Sequence, residues 1–219
     1  MRTILVLLLV SGVAIAEPID AKRAARWEKE ISTITRRLQA KPPDEGAIFF
    51  AGSSTIRLWD LPKSFPSLPV INVGFGGSEI RDSTHFAQRL ILRHRPKTIV
   101  FYAGDNDVAS GRKAGQVEAD FREFCQVIHK DLPRCQILFL AIKPSLARWK
   151  QFEEQTRANE QVRKFCKSDP RLRYVDTVSL LLGSDGKPNP ALYAKDGLHM
   201  SAAGYQKWTP VITDILNKP

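Results

Sequence analysis

Four short segments hold residue types that acyl transfer requires. Gly52-Ser53-Ser54-Thr55 offers adjacent hydroxyls, and Gly74-Phe75-Gly76-Gly77-Ser78 offers backbone without side chains. Gly104-Asp105-Asn106-Asp107 offers a neutral amide, and Asp196-Gly197-Leu198-His199 sets a carboxylate three residues before an imidazole. Acyl transfer needs a nucleophile, a base, a group that orients the base, and donors for the developing oxyanion. The Asp196–His199 spacing lets the carboxylate meet one ring nitrogen while the other faces a serine. Gly77 can bring a bare N–H close to substrate, and Asn106 can donate an uncharged side-chain N–H to the same oxygen. Each segment alone is weak, since Gly-Ser-Ser is common and a lone Asp–His pair is usually incidental. Their joint order carries the inference, and on residue type alone Ser53 and Ser54 both qualify as nucleophile.

The elements between them explain how they would converge. Continuous apolar runs over residues 47–51, 70–75, 98–103, 136–142 and 172–176 predict strands buried on both faces. Helical spacing predicts helices over 19–40, 78–94, 117–131, 148–167 and 201–216, the first stopped by Lys41-Pro42-Pro43 and the last bent around Pro210. Strands alternating with helices predict an α/β domain with a parallel sheet covered on both faces. Ligands of such sheets bind outside the carboxyl ends of the strands. The first three polar segments stand just there, and the fourth follows the fifth strand and its long loop.

The chain has 219 residues, enough for one domain with a sizeable core, and its 43% hydrophobic and 26% charged residues are ordinary for a globular protein. Residues 1–16 form a short positive start, an apolar run and a small-residue end at Ala16. This is the layout of a secretory signal peptide, too short to span a bilayer comfortably. It predicts a periplasmic or secreted protein with no stable membrane span after processing. Residues 17–45 then read as an N-terminal helix and linker, and 46–219 as the main domain.

The formal charge is +10 and the pI about 9.7. Such a surface is drawn to anionic envelope components. Nucleic acid is not expected as a partner, because the basic residues lack aromatic interleaving or a nucleic-acid motif. Cys125, Cys135 and Cys166 match no zinc or redox spacing.

The segments FAGSS (residues 50–54), NVGFGG (72–77), AGDND (103–107) and DGLH (196–199) resemble the four sequence blocks of the SGNH hydrolases, the GDSL esterase/lipase family. The resemblance spans about residues 46–208 and is nearest to exported bacterial acylhydrolases of the platelet-activating-factor acetylhydrolase-like branch. It implies a flavodoxin-like three-layer α/β/α sandwich with a five-stranded parallel sheet in the order 2-1-3-4-5. It implies Ser54 as nucleophile, His199 as base and Asp196 as its orienting group. The oxyanion hole would come from the Ser54 N–H, the Gly77 N–H and the Asn106 side chain. Neither cofactor nor metal is implied. The substrate would be a small acyl ester, an acetylated sugar or a lysophospholipid.

The chain departs from the family pattern in places. Ser53 stands where the family carries aspartate, and Asp105 stands where a small or hydroxyl residue is usual. Asp105 is expected to point outward, since an inward carboxylate would oppose an oxyanion. Asp107 is expected to pin its loop. Lys143, Ser145, Arg148 and Trp149 either rim the pocket or belong to a loop and helix start. His85, His94 and His129 read as surface or satisfied residues. A Cys125–Cys166 bridge is geometrically plausible, with Cys135 as a competing partner or all three as free buried thiols.

An α/β-hydrolase would need a G-x-S-x-G elbow, which is absent around Ser54. The rival from another class is a non-enzymatic exported carbohydrate-binding or envelope-associated module on the same sheet.

Overall fold

The computed structural model describes residues 19–218. The expected leader over residues 1–16 lies outside the described residues. Two helices open the described chain, α1 (Ala21–Ala25) and α2 (Glu28–Ala40). Strand β1 (Ile48–Gly52) follows, then two short helices α3 (Ser54–Arg57) and α4 (Leu61–Ser64), and strand β2 (Val70–Asn72). Next come α5 (Ile80–His85), α6 (Ala87–Leu90), β3 (Thr98–Tyr102), α7 (Asp105–Ala109) and α8 (Ala114–Asp131). Strand β4 (Gln136–Leu140), α9 (Phe152–Cys166), β5 (Leu172–Val175) and α10 (Ala202–Leu216) complete it.

The five strands form one parallel sheet in the order β2-β1-β3-β4-β5. Its register sets Ile48 beside both Val70 and Thr98, and Thr98 beside Gln136. Successive side chains of a strand point to opposite faces, so the apolar runs feed two cores. Phe49, Ile99, Phe101, Ile137 and Phe139 pack with Ile31, Phe121, Phe124 and Val162 from α2, α8 and α9. Phe50, Val100, Tyr102 and Leu140 pack with Ile56, Trp59 and Trp208 from α3, the turn after it and α10. The result is the three-layer α/β/α architecture expected from the sequence. No helix of the described residues is long and apolar enough to cross a membrane.

Some boundaries differ from expectation. The helix expected over 19–40 is broken between α1 and α2 at Arg26–Trp27. There the Trp27 indole N–H donates to the Gly76 carbonyl at 2.8 Å, and its ring packs edge-on against Phe75. The helix expected over 78–94 is split into α5, α6 and a 3-10 turn at Leu92–His94. Phe86, Ala87, Leu90, Ile91 and Leu92 are all buried, a wider apolar face than the usual stripe of one straight surface helix.

The helix expected over 148–167 begins as a 3-10 turn at Trp149–Gln151, whereas α10 runs on past Pro210 as expected. All three cysteines are free, buried thiols, so the Cys125–Cys166 bridge is not present. Burial pushes the thiols of Cys135 and Cys166 up to about 12.

Candidate active site

The parallel sheet delivers three of the polar segments directly from strand ends. Ser54 is the first residue of α3, two residues beyond the last residue of β1. Its neighbour Ser53 is fully buried, and the Ser53 backbone N–H donates to Tyr102 O on β3 at 2.9 Å. That bond extends the β1–β3 pairing by one residue and leaves Ser54 as the hydroxyl at the edge. Asn106 lies in the first turn of α7, directly after β3. Gly77 follows β2 at φ 72°, a left-handed conformation that favours glycine.

The segment containing Asp196 and His199 comes from further along the chain but reaches the same edge. The His199 Nε2 lies 3.0 Å from Ser54 Oγ, and the His199 Nδ1 lies 2.6 Å from Asp196 Oδ2. Asp196 Oδ1 also accepts the backbone N–H groups of Leu198 and His199, at 2.9 and 3.0 Å. One carboxylate oxygen thus organises the turn while the other holds the ring. The imidazole hydrogen bond, helped by the two backbone N–H groups, draws the Asp196 carboxyl down to about 2. It stays ionised across the range in which a histidine titrates.

Hydrogen bonds that the sequence does not announce hold this arrangement. The Asn106 side chain donates to Ser78 O at 3.0 Å, which fixes the amide and leaves its second N–H available. The Ser78 hydroxyl donates to Phe75 O at 2.9 Å. Asn72 Nδ2 donates to Ile56 O at 2.7 Å, while its Oδ1 accepts the Gly74 N–H at 3.0 Å. Together these bonds tie the loops after β1, β2 and β3 to one another. From the outer side, Glu30 accepts the Gly76 N–H at 3.3 Å.

Lys143 does not rim the pocket. It is 1% exposed, and its ammonium donates to Leu198 O at 2.6 Å, one residue before His199. Ser145 is buried, and Trp149 stacks on Phe152. Arg148 pairs with Asp105 at 3.1 Å.

That pair corrects one expectation. Asp105 does not point out to solvent but is buried, with Arg148 supplying the compensating charge. Among the other histidines, His129 Nε2 lies 3.0 Å from Cys135 O and His94 stacks on Phe49. His85 packs edge-on against Phe86.

Asp107 pins its loop as expected, accepting the Ile80 N–H at 3.0 Å. Burial foremost, with the nearby Glu79 and Asp120 charges, pushes its carboxyl from the ordinary 3.8 up to about 8. Between these values the folded chain holds a proton that the unfolded chain releases. This group's contribution to stability is therefore present at about pH 4 and is lost as pH rises through about 8. Asp107→Asn keeps the acceptor and replaces the acid proton with an amide. The variant's melting temperature is expected to gain on that of wild type from about pH 5 to about pH 8.5. A difference independent of pH would contradict a protonated Asp107.

A cleft of about 660 Å³ opens beside His199, between the segment running from Leu58 to Ser64 and α10. Leu58, Trp59, Met200, Tyr205 and Pro210 supply apolar wall, and Asp196 and His199 also line it.

With this fold and geometry, the comparisons define the class. The chain matches the GDSL-like Lipase/Acylhydrolase family over residues 53–207. It belongs to that family of ester hydrolases. No curated protein matches the chain.

Solved structures share the fold. One is a Streptococcus pneumonia protein provisionally described as a platelet activating factor. It is 22% identical at TM-score 0.79, over 89% of this chain and 95% of that one. A GDSL-like lipase from Bacteroides thetaiotaomicron is 17% identical at TM-score 0.70, over 88% of this chain and 96% of its own. An acetyl-xylooligosaccharide esterase from Geobacillus is 16% identical at TM-score 0.63, over 81% and 97%.

Proposed function

We propose that this protein cleaves an acyl ester through an acyl-enzyme intermediate on Ser54, with His199 as base and Asp196 as its orienting group. The observation that carries the reading is the unbroken chain from Ser54 Oγ to His199 Nε2 at 3.0 Å and from His199 Nδ1 to Asp196 Oδ2 at 2.6 Å. A binding module on the same sheet has no need of such a chain.

The Ser54 Oγ attacks the ester carbonyl carbon as its proton passes to His199 Nε2. The carbonyl oxygen becomes an oxyanion facing the Ser54 and Gly77 N–H groups and the free N–H of Asn106. Collapse breaks the bond to the alcohol oxygen, which takes the proton from His199. Water then attacks the acyl-serine, giving its proton to His199, and the carboxylic acid leaves as Ser54 regains its hydrogen. Asp196, ionised throughout, stabilises the imidazolium that forms twice in this cycle.

Acyl esters, including acetylated sugars and lysophospholipids, are the substrate range of this reading, and no step of it calls for a cofactor or metal. Residues 1–16 would serve as an export signal, placing the enzyme in the periplasm or outside the cell. The basic surface would favour anionic envelope material there.

A histidine base works only as neutral imidazole, and histidine ordinarily changes charge between about pH 5 and 8. Asp196, held near 2, contributes no limb in that range. Hydrolysis of p-nitrophenyl acetate is therefore expected to rise along a single-proton curve from acid toward neutral and to hold into mild alkali. A rate flat across that range would count against His199 as the base.

A further inference from the structure

We propose that the cleft beside His199 binds the alcohol portion of the ester, and that this portion is an apolar aliphatic group rather than a sugar. The proposal rests on the serine-hydrolase reading above and adds to it which half of the substrate is selected, by which walls.

The placement of the cleft selects the half. His199 hands its proton to the leaving oxygen, so the alcohol must sit against Nε2. Of the catalytic residues the cleft is lined by His199 and Asp196, while Ser54 and the groups assigned to the carbonyl oxygen, Gly77 and Asn106, lie outside its lining. The group that extends into it is therefore the one leaving past the imidazole. Leu58 is four residues beyond Ser54, one helical turn on, which starts the wall next to the nucleophile. The opposite wall follows α10 from Ala202 to Pro210, a rise of about 12 Å at 1.5 Å per residue. That length suits an extended alkyl chain.

The chemistry of the walls selects the class. The hydroxyls that line the cleft, that of Tyr205 included, each make a hydrogen bond within the protein. Ser64 Oγ accepts the Trp59 indole N–H at 2.9 Å, Tyr205 donates to Thr55 O at 2.8 Å, and Thr209 donates to Tyr205 O at 2.9 Å. Asp60, Lys63 and Gln206 are exposed, so they offer no fixed set of buried partners. Recognition of a sugar calls for several placed polar groups.

One apolar wall residue is also exposed. Among the described residues the exposed large hydrophobic side chains are Leu58 at 45% and Leu146 at 41%. Leu58 lines the cleft, and Leu146 reaches within 3.1 Å of where a Cβ at Gly197 would stand, on the catalytic turn. Leu146 thus borders the turn that carries His199, and Leu58 gives the cleft an exposed apolar edge.

The test compares kcat/KM along two series. One holds the acyl group as acetyl and lengthens the alcohol from ethyl to hexyl. The other holds ethanol and lengthens the acyl group. Acetylated xylose serves as the sugar substrate. The alcohol series is expected to gain roughly 10- to 100-fold from ethyl to hexyl, as methylenes enter an apolar site.

Leu58→Asp puts a charge at an already exposed wall position, and Thr209→Trp fills the cleft from α10. Each is expected to cut the hexyl-to-ethyl ratio at least about fivefold, losing most of that methylene discrimination. A rate that follows acyl length instead, a preference for acetylated xylose over hexyl acetate, or an unchanged ratio in both variants overturns the assignment of the cleft. Absence of hydrolysis for every ester overturns the serine-hydrolase reading itself, and the cleft assignment with it.

Discussion

Ser54→Ala is expected to lower kcat for p-nitrophenyl acetate by about 10⁴-fold or more, while Ser53→Ala stays within about tenfold of wild type. The two hydroxyls are adjacent in sequence but differ in surroundings. Ser54 Oγ lies 3.0 Å from the His199 ring and is partly open to solvent. Ser53 is fully buried, its hydroxyl has no hydrogen-bond partner, and its backbone N–H is committed to Tyr102. Removing a nucleophile removes the covalent route, whereas removing the Ser53 hydroxyl removes a buried polar group that made no bond. Ser54 belongs to neither hydrophobic core, so the melting temperature of Ser54→Ala is expected to match wild type. That match separates lost chemistry from lost fold.

The largest expected effect on the fold comes from one residue earlier in the same segment. Gly52 ends β1 at φ 124°, and a Cβ there would stand 1.9 Å from Tyr102 O and 2.7 Å from Tyr102 C. Both obstructing atoms are backbone of β3, the central neighbour of β1, so no side chain can swing aside. Gly52→Ala must part the two strands or twist the residue out of its conformation. The expected cost is about 4 kcal/mol or more, in the upper tail for single substitutions. For a chain of this size that lowers the melting temperature by at least about 10 °C. A calorimetric midpoint within about 2 °C of wild type would show that the strand end relaxes far more easily than its geometry allows.

The architecture was legible because its signals are local. The strands β1, β3 and β4 are short apolar runs, and burial on both faces is what produces such runs. The Asp196–His199 turn was legible for the same reason, since its spacing already lets the carboxylate reach both ring and backbone. What escaped depends on partners far along the chain. Lys143 follows an apolar run and reads as a pocket rim or part of a loop, yet it is buried, its ammonium donating a hydrogen bond to Leu198 O fifty-five residues on. Asp105 turns inward because Arg148 neutralises it there. The break at Trp27 depends on Gly76 O, and nothing within residues 19–40 marks it. The cleft is likewise assembled from the segment around Leu58 and from α10, and neither stretch alone suggests a binding surface.

The most direct measurement is where the acyl or phosphoryl group lands. The full-length protein is incubated with a serine-reactive organophosphate, and the mass of the intact chain and of its peptides is determined. One adduct per chain is expected, on the peptide containing Ser54 and localised to that residue by fragmentation, with esterase activity lost in proportion. The Ser54→Ala protein should remain unlabelled, and Ser53→Ala should label as wild type does. An adduct on Ser53 or on another residue, or full loss of activity without an adduct on Ser54, would contradict the account.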